Sequence, residues 1–289
     1  MNRKGIILAG GLGTRLFPAT SCISKQLLPI YDKPMVYYPL SILMIANIKD
    51  ILIITTENDA PLFQKLLTDG SQFGINLSYQ IQDKPDGIAK AFIIGEKFIG
   101  NSNVALILGD NLFYGNNLIE RLSRAHSNNN GATIFTYHVN NPSDYGVAEI
   151  KDNKVINIQE KPKLPKSNYA VTGLYFYDNN VVNYAKKLTP SVRGELEISD
   201  LNNIYIKNNN LYVEKLGRGD AWLDTGTHNS LLEASLFIST IENRQGLKIA
   251  CLEEIGFEKG WISKKNLSKQ AKKYKNNQYG KYLNSLLKK

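Results

Sequence analysis

An apolar run, Gly5-Ile6-Ile7-Leu8, feeds directly into Ala9-Gly10-Gly11-Leu12-Gly13-Thr14-Arg15-Leu16. This junction constrains the fold more than any other part of the chain. A short apolar stretch that ends in glycines reads as a buried strand leaving its sheet through a tight turn. Three glycines in four positions let the backbone bring its N–H groups close to a ligand. Arg15 adds a cation that keeps its proton and grips phosphate with two nitrogens. Such a loop suits a polyphosphate, although a plain glycine-rich β-to-α turn with one exposed arginine has the same local appearance. Two common fingerprints are excluded. A dinucleotide loop beginning at Gly11 needs glycine where Leu16 stands. A P-loop needs G-K-S/T after its second glycine, and none follows.

The stretch after the loop alternates in the same way. Residues 51–54, 77–82, 104–108 and 133–137 have strand patterns, and residues 38–48, 61–68, 88–98 and 118–127 have helical ones. Continuously apolar strands between helices imply an α/β fold with a Rossmann-like, mostly parallel central sheet covered on both faces. Ligands of such sheets bind beyond the carboxyl ends of the strands. The glycine loop lies at one such end and Leu108-Gly109-Asp110-Asn111 at another. From about Gly146 the pattern becomes α+β. Residues 147–150, 155–159, 171–177 and 211–216 are strand-like, with a helix over 200–207. A long amphipathic helix follows over 227–243, and a Lys- and Asn-rich tail with two helix patterns comes after Gln245. The expected division is a domain over 1–245, parted near 145, and a small helical C-terminal appendage over 246–289. No internal repeat is present.

The net charge of +9 invites a nucleic-acid reading. Much of the excess sits on tail lysines, among them Lys264, Lys265, Lys269, Lys272, Lys273, Lys288 and Lys289, which read as a solvated helical face. No nucleic-acid-binding signature accompanies them, so no nucleic-acid partner is expected. Cys22 and Cys251 are far apart with no ligand-type spacing, which suits a reducing compartment. The apolar run after Arg3 and Lys4 ends too soon for a signal peptide, and no segment approaches the roughly 20 apolar residues of a membrane span. The expectation is a cytoplasmic protein.

Several polar residues stand where chemistry would need them. Asp110 follows a strand that is apolar throughout. A carboxylate there, beside bound phosphates, is a natural Mg2+ ligand, because magnesium takes one or two carboxylates and fills its octahedron with phosphate oxygens. A turn-forming or capping aspartate is the alternative. Asp224, in Trp222-Leu223-Asp224-Thr225-Gly226-Thr227, is a second candidate in a segment that could equally be a turn. Gln82 ends a strand before Pro85-Asp86-Gly87, and its amide can read a base edge. Glu160-Lys161-Pro162 offers an acceptor for sugar hydroxyls next to a phosphate-binding cation. His126, His138 and His228 form no ligand or catalytic pattern and are expected to be structural.

Taken in order, Gly10 to Leu16, Ser24-Lys25-Gln26-Leu27-Leu28-Pro29 and Tyr31-Asp32-Lys33-Pro34-Met35 resemble the sugar-1-phosphate nucleotidylyltransferases. Gln82 with Pro85-Asp86-Gly87, Gly109-Asp110-Asn111 and Asp144-Tyr145-Gly146-Val147 are similar to the thymidylyl branch of that family. So are Glu160-Lys161-Pro162, residues 168–177, Arg193-Gly194-Glu195-Leu196-Glu197 and residues 222–227. The likeness runs nearly end to end. It has two departures: Leu12 stands where the branch commonly has serine, and Asp220 where an aromatic residue is usual.

The resemblance implies transfer of a thymidylyl group from dTTP to glucose 1-phosphate, giving dTDP-glucose and pyrophosphate by in-line attack on the α-phosphorus. It implies Arg15 on the leaving phosphates and Lys25 at the transferring phosphoryl. Lys161 and Arg193 would hold the sugar phosphate, and Asp110 and Asp224 would carry Mg2+. Leu8, Gly10, Gly11, Gly13, Thr14, Gln82, Pro85, Asp86, Gly87 and Asp110 would bind the nucleotide. Leu108, Asn111, Tyr145, Gly146, Glu160, Val171 and Trp222 would line the sugar site. It also implies a homotetramer with feedback inhibition by dTDP-rhamnose. The alternatives are the same chemistry with UTP, or a catalytically silent nucleotide-sugar-binding regulator.

Overall fold

The computed structural model describes residues 3–288; Met1, Asn2 and Lys289 lie outside the described residues. In chain order the strands are β1 (Arg3–Ala9), β2 (Pro29–Ile30), β3 (Lys33–Pro34), β4 (Asp50–Thr55), β5 (Asn76–Ile81), β6 (Asn103–Leu108), β7 (Asn111–Gly115), β8 (Ala132–His138), β9 (Gly146–Lys151), β10 (Lys154–Glu160), β11 (Tyr169–Tyr177), β12 (Leu211–Lys215) and β13 (Asp220–Asp224). Among the described residues, eleven α-helices connect or cover them. They are α1 (Tyr37–Ile45), α2 (Ala60–Leu67), α3 (Lys90–Ile94), α4 (Glu96–Ile99), α5 (Leu118–Ser127), α6 (Val181–Lys186), α7 (Ile198–Lys207), α8 (His228–Gln245), α9 (Leu252–Glu258), α10 (Lys264–Lys273) and α11 (Gln278–Leu286).

Nine strands form one sheet, in the order β10–β9–β11–β6–β1–β4–β5, with β8 also on β11 and β12 beyond β8. The stretch β5–β4–β1–β6 is parallel throughout. Its side chains alternate between two cores, as a strand period of two requires. Ile7, Ile51, Ile53, Ala105 and Ile107 point to one face, under α1, α2 and α5. Ile6, Leu52, Ile54, Val104 and Leu106 point to the other, under α3, α6 and α7. Both faces are covered, which is why these strands read as unbroken apolar runs.

The chain moves from β1 outward to β4 and β5, then returns to the opposite side of β1 as β6. That reversal makes the crevice beyond β1 and β6 the topological switch point of the sheet. The glycine loop and Asp110 leave the sheet side by side there, stapled by the Gly109 N–H donating to the Leu8 carbonyl at 2.9 Å.

β11 is antiparallel to its neighbours and carries the extension. One edge pairs with β8, with a register shift between Val171 and Tyr175. The other edge is shared: Leu174–Tyr177 pair with β6, and Ala170 pairs with β9. β6 and β9 therefore part over the middle of β11, leaving a gap above Val171 and Gly173.

Some elements differ from the sequence reading. The expected helix over 88–98 divides into α3 and α4 at Gly95, where a Cβ would sit 3.1 Å from the Ile6 side chain of the sheet. β7 and β13 form an antiparallel ribbon that sequence left unassigned, with Asn111 opposite Asp224 and Gly115 opposite Asp220. Its two strands lie far apart in sequence, so neither carries a local hairpin signal. α6 was not expected. Among the described residues after Gln245 there are three helices rather than two. Leu252 of α9 belongs to the core beneath α1, whereas α10 and α11 build a small core of their own around Leu267, Ala271, Leu283 and Leu286. Among the described residues, no helix is long and apolar enough to cross a membrane.

Candidate active site

A cavity of about 790 Å³ opens at the switch point, between the exits of β1 and β6 and the β9–β11 extension. Its wall brings together Arg15 after β1, Leu108 at the end of β6, Asp110 just beyond it and Asn111 at the start of β7. Tyr145 and Gly146 come from the start of β9, Glu160 and Lys161 from the end of β10, and Val171 from β11. Arg193, Trp222 and Asp224 complete the set. Lys25 is not on this wall but reaches it through an ion pair with Asp110. Leu8, Gly10, Gly11, Gly13, Thr14, Gln82, Pro85, Asp86 and Gly87 lie outside the cavity wall, in β1, the glycine loop and the β5–α3 connection.

Two carboxylates lie at one end of the ribbon, Asp110 just before β7 and Asp224 at the end of β13. Asp224 ends β13 opposite Asn111, and Thr225 donates both its N–H (3.1 Å) and its hydroxyl (2.9 Å) to the Asp110 carbonyl. Burial pushes the Asp110 carboxyl up, but the Lys25 ammonium and the hydrogen bonds from Lys25 and Asn111 outweigh it and hold the group below its usual range. Asp224 is raised, first by burial and then by the negative charge of Asp110. Tyr145 donates its hydroxyl to Asp224 Oδ1 at 3.2 Å. Its own pKa is pushed up to about 12, mainly by burial and then by Asp224, so it remains a donor. Two oxygen-only ligands whose mutual repulsion is incompletely neutralised suit a hard divalent cation. Among the described residues, no cluster of three or more His, Cys, Asp or Glu is placed to hold a metal.

Asn111 organises this pair. It is 3% exposed. Its Oδ1 accepts from the Trp222 indole N–H (2.7 Å) and the Gly173 N–H (3.0 Å), and its Nδ2 donates to Asp110 Oδ1 (3.0 Å). At the other end of β13, Asp220 accepts the Gly217 N–H at 2.7 Å and lies 3.5 Å from the Arg121 guanidinium. The unusual acid thus anchors the strand that carries Trp222 and Asp224.

Cations share the cavity wall with the carboxylates. Arg15 lies over Gly226, where a Cβ would come within 2.8 Å of its guanidinium. Arg193 is held by Glu197 through Nε (3.1 Å) and Nη2 (2.7 Å), with Glu195 at 3.4 Å and Glu160 at 3.6 Å. Those bonds to Glu197 raise its pKa. Glu160 accepts the Ser199 hydroxyl at 2.6 Å. Lys161 sits in left-handed backbone, φ +42°, with its N–H on the Tyr145 carbonyl at 3.0 Å. That strained turn sends the Lys161 side chain to the cavity rather than along β10. Glu195, Glu197 and Ser199 also line the cavity and were not singled out from sequence. The spacing of Glu195 and Glu197 about Arg193 was the signal available.

The segments read as base-binding are packed against the same frame. A Cβ on Gly10 would lie 2.6 Å from Gln82 Oε1, so the buried Gln82 amide rests directly on the loop backbone. Gly87 has φ +101°, and a Cβ there would strike the Leu196 carbonyl at 2.4 Å. The Leu196 N–H donates to the Asp86 carbonyl at 2.7 Å. The loop after β5 is therefore locked to the segment that carries Arg193.

A family model described as nucleotidyl transferase matches residues 4–241. A glucose-1-phosphate thymidylyltransferase of Neisseria meningitidis is 59% identical over 99% of this chain and 100% of its own length. One of Mycobacterium tuberculosis is 54% identical over 98% and 99%. A Bacillus anthracis structure described as a glucose-1-phosphate thymidylyltransferase in complex with a sucrose superposes with a TM-score of 0.76. It is 43% identical and covers 81% of this chain and 94% of that one. A UDP-glucose pyrophosphorylase complexed with UDP-glucose gives a TM-score of 0.72 at 25% identity, covering 83% and 100%.

Proposed function

The chain belongs to the nucleotidyl transferase family, and we propose that it moves a thymidylyl group from dTTP to α-D-glucose 1-phosphate, giving dTDP-glucose and pyrophosphate. The observation that carries this reading is the cavity at the switch point, which gathers Asp110 and Asp224 with two sets of cations: Arg15 and, through its ion pair with Asp110, Lys25 from the glycine-loop region, and Lys161 and Arg193 from the extension. One set of cations suits a nucleoside triphosphate and the other a sugar phosphate. The identity to thymidylyltransferases over nearly the whole chain favours thymine over other bases.

The reaction asks little covalent chemistry of the protein. An oxygen of the sugar phosphate, already anionic, forms the new bond to the α-phosphorus as the bond to pyrophosphate breaks. No proton has to move and no covalent enzyme intermediate is needed, so positioning and charge neutralisation supply the rate. Arg15 would hold the leaving β- and γ-phosphates, and Lys25 the transferring group. Lys161 and Arg193 would fix the attacking phosphate, with Arg193 aimed by Glu197. Glu160, steadied by Ser199, would accept from sugar hydroxyls, with Tyr145, Gly146 and Val171 around the ring. Gln82 beside Gly10, with Gly87, would meet the base. Asp110 and Asp224 would hold Mg2+, which when bound neutralises charge at the transferring phosphoryl.

The same reading makes residues up to about 145 the nucleotide part, 146–245 the sugar part and 246–289 an appendage for subunit or regulatory contacts. It carries a homotetramer, feedback inhibition by dTDP-rhamnose, the first step of dTDP-L-rhamnose formation and a cytoplasmic location; these rest on family membership. Pyrophosphate release, measured for four nucleotides against several sugar 1-phosphates, tests the central claim. The pair dTTP and glucose 1-phosphate should give the highest kcat/KM, and preference for a purine nucleotide would overturn it.

A further inference from the structure

The two oxygens of Asp110 have different fates. Oδ1 is held by the Asn111 amide at 3.0 Å, and Asn111 cannot turn away because its own Oδ1 is fixed by Trp222 and Gly173. Rotation of the Asp110 carboxylate is thereby restrained. Oδ2 is the oxygen left to serve a cation, and it already has one, the Lys25 ammonium. Lys25 opens a short helical turn, Lys25–Leu27, directly behind the glycine loop, and its Cβ would meet a Cβ on Gly13 at 3.4 Å. Its compact charge rides on a flexible four-carbon stem, so it can change partners without backbone motion.

We propose that Lys25 and the divalent cation are alternative partners of Asp110 Oδ2, so that loading the cation releases Lys25 from the carboxylate toward the nucleotide phosphates. Lys25 is then a built-in counter-ion. It keeps the two carboxylates tolerable in the free protein and becomes available as a phosphate ligand only when a metal–nucleotide arrives. Charge favours this order. The carboxylates carry two negative charges and Lys25 one positive. A cation alone deprives that ammonium of its Asp110 partner and offers nothing in return, whereas a cation arriving with a triphosphate brings anionic oxygens for Lys25 to meet. The free protein should therefore bind divalent cations weakly, and nucleotide should be needed for tight loading.

This inference rests on the part of the functional reading that places a cation at Asp110 and Asp224. Its test does not require turnover. Mn2+ is titrated into the nucleotide-free full chain and bound ion is followed by electron paramagnetic resonance. Removing the competing charge with Lys25→Met should tighten Mn2+ binding by about tenfold or more, since opposite charges in contact near a protein surface interact strongly. Lys25→Gln gives the same comparison if the Met variant does not fold. Lys25→Arg, which keeps the counter-ion, should bind as weakly as wild type. Adding Asp110→Asn to Lys25→Met should abolish the gain. Unchanged or weaker binding in both neutral variants overturns the exchange, as does a gain that survives Asp110→Asn. Two failures are separable. If wild type with nucleotide binds Mn2+ in an Asp110-dependent way while the neutral Lys25 variants show no gain, the exchange is wrong and the metal assignment stands. If no Asp110-dependent Mn2+ is found under any condition, the metal assignment itself is wrong.

Discussion

Replacing Asn111 should separate its role as a scaffold from its role as a charge-setting group. In Asn111→Ala two buried donors, the Trp222 indole N–H and the Gly173 N–H, lose their shared acceptor, and Asp110 loses a donor. A buried donor left without a partner costs about 1–3 kcal/mol, and a hydrogen bond to a charged group contributes about 1.5–3 kcal/mol. Neighbouring losses are not strictly additive, so the expected destabilisation is about 3–6 kcal/mol, enough to threaten a typical domain. Asn111→Asp behaves differently. It restores an acceptor for Trp222 and Gly173 but sets a third carboxyl against Asp110 and Asp224, where like charges in contact strongly oppose ionisation. The introduced carboxyl should thus have a folded-state pKa above its unfolded value. Its contribution to stability is then fully present below the usual carboxylate range and is lost as pH rises through the raised value. Denaturant midpoints followed by tryptophan fluorescence should place Asn111→Asp close to wild type near pH 4 and well below it at pH 8, while Asn111→Ala is destabilised at both. Added Mg2+ should recover part of the loss in Asn111→Asp only. A cost below about 1 kcal/mol for Asn111→Ala, or an Asn111→Asp deficit that does not change with pH, would refute the three-bond account.

The carboxylate pair gives a second expectation: Asp110→Asn and Asp224→Asn should each lower turnover by roughly 10²-fold or more, and the double variant should lose far less than the product because both disable one ion. Steady-state rates with a Mg2+ titration decide it, and full activity in either folded single variant removes that residue from the metal site. Base choice should be imperfect, because thymine and uracil differ by one methyl and a methyl in an apolar pocket is worth about 1–3 kcal/mol; UTP should support measurable turnover, and strict exclusion of UTP would require a contact other than the methyl. Glu160→Ala should raise the KM for glucose 1-phosphate while leaving dTTP binding nearly unchanged, and equal loss of both would merge the two pockets assigned here. In the C-terminal part, Glu253 is buried with Oε1 unpartnered, while Oε2 accepts the Tyr279 hydroxyl at 2.5 Å. Burial raises its pKa more than Tyr279 lowers it. The folded state therefore favours the protonated acid and loses stability as pH rises through the raised value. Glu253→Gln should gain on the order of 1 kcal/mol at pH 8 and nothing at pH 4, and a thermal-melt advantage independent of pH would contradict this.

What the sequence made legible, and what it hid, follows from the range over which each residue's partners lie. β1, β4 and β6 are buried on both faces, so each writes its environment into a local run of Ile, Leu and Val. The glycine loop is equally local, since its loop conformation and the room for Gln82 come from the glycines themselves. Asp110, at the mouth of such a run, was therefore identifiable as a candidate before any fold was known. The β7–β13 ribbon was not. Its strands are five residues each and meet only because β6 delivers Asn111 to the switch point and α8 must begin beside it, capped by Thr227 and Ser230. Nothing near Asp224 in sequence distinguishes a strand end from a turn. Asn111 shows the same limit at the scale of one side chain. The family resemblance made it a candidate for sugar contact, yet its three bonds run to Trp222, Gly173 and Asp110, and two of those partners come from strands that only the fold brings near. Glu197 was within the motif that contains Arg193, but its function as the arm that aims that guanidinium depends on burial at the start of α7, which the motif does not encode. Residues that touch substrate tend to be recognisable by type. Residues that hold them become recognisable once the non-local pairs are in place, and in this protein Asn111 and Glu197 connect the two groups.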